Sequence, residues 1–116
     1  MEILSLGDNK LTGPIPEAVA KLPSIEILQL HRNQLTGTIP EFGNQASLEQ
    51  IAIDQNGITG TISQSLFGLT TGNLKALHMR LNQLTGTIPS ELGMLTTLEI
   101  VSMGDNLLTG DPAKLD

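Results

Sequence analysis

Leu28-Gln29-Leu30-His31-Arg32-Asn33-Gln34-Leu35-Thr36-Gly37 is written, with small changes, five times in this chain of 116 residues. The other copies run from Leu4 to Gly13, Ile51 to Gly60, Leu77 to Gly86 and Val101 to Gly110. Their asparagines, Asn9, Asn33, Asn56, Asn82 and Asn106, are 24, 23, 26 and 24 residues apart. Self-similarity at a period in the twenties marks a solenoid, in which each unit buries its apolar side only by stacking on the next. Within each copy, apolar residues alternate over a few positions, the pattern of a strand with one buried face. Leu28 and Leu30 point inward, and Gln29 and His31 point outward. Stacked units then place like strands side by side and parallel, about 4.8 Å apart. The strands are expected near 2–6, 26–30, 49–53, 75–79 and 99–103.

The asparagine ends each strand, where the chain must turn. Its amide carries two donor hydrogens and an acceptor oxygen. In a stacked turn it can satisfy backbone groups of its own loop and of the neighbouring one. Left unpaired and buried, those groups would cost on the order of 1–3 kcal/mol each. All five asparagines therefore read as a structural ladder. The second half of the unit is Leu-Thr-Gly-x-Ile-Pro, as in Gly13-Pro14-Ile15-Pro16, Gly37-Thr38-Ile39-Pro40 and Gly86-Thr87-Ile88-Pro89, with Gly60-Thr61-Ile62-Ser63 in the third copy. Glycine allows the bend, isoleucine fills the core, and proline ends pairing and starts the convex segment. That segment is long enough for a single helical or 3₁₀ turn.

The L-T-G-x-I-P phrase resembles the plant-specific class of leucine-rich repeats. That class includes ectodomains of plant receptor kinases and receptor-like proteins, and polygalacturonase-inhibiting proteins. The resemblance covers essentially the whole chain. It implies a β-rich α/β solenoid, a right-handed arc with a parallel concave sheet and short 3₁₀, helical or irregular convex segments. It also implies a second short strand beside the concave one, a protein or peptide partner, and an extracellular or cell-surface location. Residues 1–116 read as one domain of about five repeats. The chain departs from plant ectodomains in having no cysteines, so the paired cysteines of their caps are missing. Met1 already occupies the first hydrophobic position of a unit, and the last copy breaks off at Gly110-Asp111-Pro112, with the charge of Asp111 beside the place of the core isoleucine. The expectation is an uncapped array, a fragment of a longer one or one that self-associates through its ends.

Composition excludes several partner classes. The net charge is −6, whereas nucleic acid and anionic membrane surfaces call for clustered Lys and Arg. No stretch approaches the roughly 20 apolar residues of a membrane span. No signal peptide and no N-x-[ST] sequon are visible. Phe42 and Phe67 are the only aromatic residues, as suits a narrow core filled by aliphatic ladders.

Function, if it lies on the concave sheet, lies in the variable letters. Between the buried leucines stand Ser5, Gln29, Ala52, His78 and Ser102, and after them Gly7, His31, Asp54, Arg80 and Gly104. The next column is Asp8, Arg32, Gln55, Leu81 and Asp105. Both histidines and both arginines of the chain fall in the middle units. Gln29, His31, Arg32, Asp54, Gln55, His78 and Arg80 thus form a candidate partner-binding patch, suited to a partner with some acidic character. His31, Asp54 and Arg80 share a column on consecutive strands, within salt-bridge reach of one another. The alternative is a solvated face with ion pairs worth about 0–1 kcal/mol each.

No catalytic set, metal site or cofactor is expected. Ser5 and Ser102 are remote from His31, and His31, Asp54 and His78 suit ion pairing better than metal binding. A second surface is the Thr-Gly-Thr edge, Thr36, Thr38, Thr59, Thr61, Thr85 and Thr87. Regular T-x-T arrays resemble the ice-binding faces of some antifreeze solenoids, so this edge carries the alternative of a structural, ice-contacting or polysaccharide-contacting solenoid.

Overall fold

The computed structural model describes residues 2–42, 47–63 and 73–109. Nine short strands lie in these segments: β1 (Glu2–Ser5), β2 (Thr12–Pro14), β3 (Ile25–Gln29), β4 (Gln34–Thr36), β5 (Gln50–Ala52), β6 (Thr59–Thr61), β7 (Ala76–His78), β8 (Gln83–Thr85) and β9 (Ile100–Ser102). The alternating Leu-x-Leu motifs make the odd-numbered strands, which form one parallel sheet in the order β1-β3-β5-β7-β9. Equivalent repeat positions stand opposite one another, Leu28 against Ile51, Ile51 against Leu77 and Leu77 against Val101. Most strands are shorter than expected, three residues in β5, β7 and β9. Interstrand hydrogen bonds nevertheless continue past the strand ends, as from Arg32 N to Asp54 O at 2.9 Å and from Gln55 N to Arg80 O at 2.9 Å.

The core is an aliphatic ladder. Leu28, Ile51, Ile53, Ile58, Leu77, Met79 and Leu84 are fully buried. Each such side chain contributes about 1.5–3 kcal/mol by leaving water. The isoleucine of the Gly-x-Ile phrase joins them, with Ile15 and Ile62 buried and Ile39 and Ile88 packed against the cluster. Phe42 is buried in it too; Phe67 and Asp111 lie outside the described residues. Among the described residues, the convex side holds two 3₁₀ turns, Val19–Lys21 and Ser90–Met94, each following the proline of its unit.

The phrase after the asparagine makes the even-numbered strands. β2 pairs with β4 and β6 with β8, both parallel. Single bridges, Thr38 to Thr59 and Thr87 to Thr109, carry the edge onward. The sequence predicts a ladder with like threonines opposite one another. The observed register is different: Thr61 faces Thr85, and Pro14 faces Thr36. The second threonine of one unit stands against the first threonine of the next, a slide of two residues per unit.

Candidate functional site

The asparagine turns set the rim of the concave sheet. Asn56 Nδ2 donates to Ile53 O and Asp54 O of its own turn at 3.0 and 3.2 Å, and to Leu30 O of the preceding turn at 3.0 Å. Its Oδ1 accepts from Leu35 N at 3.0 Å. Asn33, Asn82 and Asn106 repeat this set on their own neighbours. Asn9 makes the two bonds within its own turn, to Leu6 O and Gly7 O. To present its amide in this way, each turn puts the residue before the asparagine in the left-handed region: Asp8, Arg32, Gln55, Leu81 and Asp105 have φ of 55° to 58°. Nothing in the residue types announces this, because Arg, Gln and Leu are not the usual occupants of that region.

Arg32 pairs straight across with the equivalent Asp8, whereas His31 and Arg80 reach diagonally into the next column. Arg32 Nη1 reaches Asp8 Oδ1 at 3.3 Å, and Arg80 Nη2 reaches Asp105 Oδ2 at 2.7 Å. His31 Nε2 lies 3.6 Å from Asp8 Oδ2. Its ring covers Gly7 so closely that a Cβ there would sit 2.5 Å from His31 Cε1. His31 Nδ1 is buried without a hydrogen-bond partner. The expected column of ion pairs through His31, Asp54 and Arg80 does not form. His31 turns back to the first unit and Arg80 turns forward to the fifth. Among the described residues, no salt bridge joins Asp54 or His78 to another side chain. Ser5, expected to be remote from His31, lies on the strand beside it, and its Oγ donates to Gln29 Oε1 at 2.8 Å; Ser102 lies across β7 from β5.

The centre of the face is shallow. Gln29, Ala52 and His78 are cross-strand neighbours, as are Gln50 and Ala76. Ala52 and Ala76 point outward with the variable residues, yet both are buried by the longer side chains beside them. Asp54 and Gln55 follow Ala52 at the end of β5 and are half-buried. Leu81, in the next unit, is 44 % exposed at a left-handed φ of 58°, where the other four units carry Asp, Arg or Gln. Both arginines thus pair with carboxylates of this chain, in ion pairs more than half exposed to solvent.

The threonine edge has other commitments. The Cβ of a residue at position 60 would sit 2.8 Å from Thr38 Cγ2, and one at position 86 would sit 3.0 Å from Thr61 Cγ2. Thr38 and Thr61 therefore pack their methyls on the glycine of the next unit. Thr59 and Thr109 hydroxyls donate to the carbonyls of Gly37 and Gly86 at 3.4 and 3.2 Å. Backbone contacts thus engage Thr38, Thr59, Thr61 and Thr109.

A profile of the leucine-rich repeat matches residues 1–22, 24–45 and 73–95. Among curated proteins nothing matches. Solved structures do. The Arabidopsis receptor kinase HAESA, in complex with the peptide hormone IDA and the co-receptor SERK1, is 32 % identical with a TM-score of 0.86, over 95 % of this chain and 18 % of that one. The BIR3–SERK2 complex from Arabidopsis thaliana is 32 % identical with a TM-score of 0.84, over 97 % of this chain and 60 % of the matched one. The BIR2 ectodomain from Arabidopsis thaliana is 31 % identical with a TM-score of 0.87, over 96 % and 58 %. The chain spans 16 to 18 % of the receptor chains in the first three matches. With the five-fold motif, the parallel sheet and the asparagine ladder in place, the chain belongs to the leucine-rich repeat family, in its plant-type class.

Proposed function

We propose that this chain is a non-enzymatic recognition module that holds a protein or peptide on its concave face. The observation that carries the proposal is the distribution of side chains. Positions fixed by the repeat turn inward or bind backbone, whereas the variable positions of the middle units, Gln29, Ala52, Asp54, Gln55, His78 and Leu81, share one open parallel face. Structural relatives described as a receptor kinase with a peptide hormone and a co-receptor, and as a BIR3–SERK2 complex, support the reading. An extended segment can cross such a face and meet one side chain from each strand in turn.

The test is site-specific photocrosslinking to peptides selected from a random display library. A crosslinker at Gln55 or His78 should capture the selected peptides, and one at Thr61 should not. Capture from Thr61 alone would move recognition to the threonine edge and refute the concave reading.

A further inference from the structure

Resting on the concave-face reading, we infer that the partner of this face is an extended peptide segment that places a basic side chain, Lys or Arg, on Asp54 and an apolar side chain on Leu81. Three observations lead there. First, the carboxylate of Asp54 is half-buried at the centre of the sheet, with no salt bridge to any described residue. Its neighbours in the same row are His31, engaged with Asp8, and Arg80, engaged with Asp105. Arg80, the guanidinium in that row, is paired with Asp105, and no described cation pairs with Asp54, so an incoming cation meets an open acceptor. An incoming anion would have to displace Asp8 or Asp105 from its arginine and would face Asp54 as well.

Second, the charge of the chain as a whole favours a cation. The chain carries a net charge of −6. Glu2, Glu26, Glu49 and Glu99 line the start of the concave strands, with Lys75, itself 3.2 Å from Glu49, as the cation of that row. A field of this sign concentrates basic ligands and speeds their encounter. Third, Leu81 is exposed in a backbone conformation that disfavours a bulky apolar residue, in a position that is polar in every other unit. Folding gains nothing from it there, whereas an apolar contact would.

Ala52 and Ala76, earlier on the same two strands, keep the floor of the face low there. A basic side chain at Asp54 would make a charge-assisted hydrogen bond, the stronger kind. A leucine-sized neighbour on the peptide would cover Leu81.

The experiment pans a random extended-peptide library on the purified chain, then compares each selected sequence with synthetic versions carrying Lys, norleucine or Glu at the enriched position. Norleucine keeps the length of lysine and removes its charge. The expected result is enrichment of Lys or Arg, an affinity about tenfold or more weaker for norleucine, and loss of that difference in Asp54→Asn. Leu81→Ser should weaken the same peptides without changing the Lys-to-norleucine ratio. Asp54→Asn should keep the denaturation midpoint, since no partner in the fold is lost. Peptides that crosslink to the concave face but show no basic preference would overturn this inference and leave the concave reading standing. Acidic peptides that fail on Arg32→Ala or Arg80→Ala would overturn it in favour of the opposite charge. Peptides captured elsewhere, or no selected peptides at all, would overturn both.

Discussion

Asn82 shows how one side chain supports two turns. Its amide donates to Ile53 O, Met79 O and Arg80 O, and its oxygen accepts from Ile58 N. Asn82→Ala would not orphan every partner. Ile53 O keeps Asn56, Met79 O keeps Asn106, and Arg80 O keeps Gln55 N. Ile58 N loses its acceptor in a fully buried residue. The expected loss is about 2–4 kcal/mol, from that orphaned donor plus the weakened carbonyl set. Asn9→Ala, exposed and bonded within its own turn, should cost about 1 kcal/mol or less. Urea denaturation of both variants checks the ranking, and equal losses would refute the account. Leu77→Ala, which empties a fully buried site, should cost about 2–5 kcal/mol in the same assay. The asparagines were legible from sequence because amide chemistry and strand-end position point to one role. The left-handed residue beside each was not, since Arg32, Gln55 and Leu81 have no intrinsic preference for it. Leu81→Asn should therefore keep or raise stability by up to about 1 kcal/mol, because asparagine tolerates that conformation better.

At the scale of the element, the second strands differ from the first in how they stack. The concave strands align without offset, held by buried leucines on one face. The strands after the glycines slide by two residues per unit, so Thr38 faces Thr59 and its methyl rests on Gly60. Glycine is required there twice over, by a φ of +86° and by Thr38 Cγ2 at 2.8 Å from any Cβ. Gly13 has a φ of +80° but open space around its Cβ direction. Gly13→Ala should then cost about 1 kcal/mol from backbone strain alone. Gly60→Ala should cost more, and Thr38→Ser should recover the excess by removing the methyl. Thermal denaturation of the single and double variants decides it; no recovery would mean that the contact is not the cause. This offset was invisible in the sequence, because aligned letters suggest aligned residues and register is settled by packing across units.

At the scale of the molecule, each unit touches its neighbours and little else, as in any solenoid. Stability should therefore be graded. Leu28, Ile51 and Leu77 are fully buried, whereas Leu4 and Val101 are half-buried. Hydrogen exchange should be slowest in β3, β5 and β7 and faster in β1 and β9; uniform protection would indicate a single cooperative block. The concave face belongs to this scale too, since residues from five strands meet there. Sequence by itself determined the period, the inward ladder, the asparagine turns and which letters are free to vary. It did so because these follow from local alternation and amide chemistry. Only the tertiary structure decided where the charges go. Arg32 goes to Asp8 and Arg80 to Asp105, leaving Asp54 without a salt bridge to any described residue. That outcome depends on side-chain direction between stacked units, which no single repeat encodes.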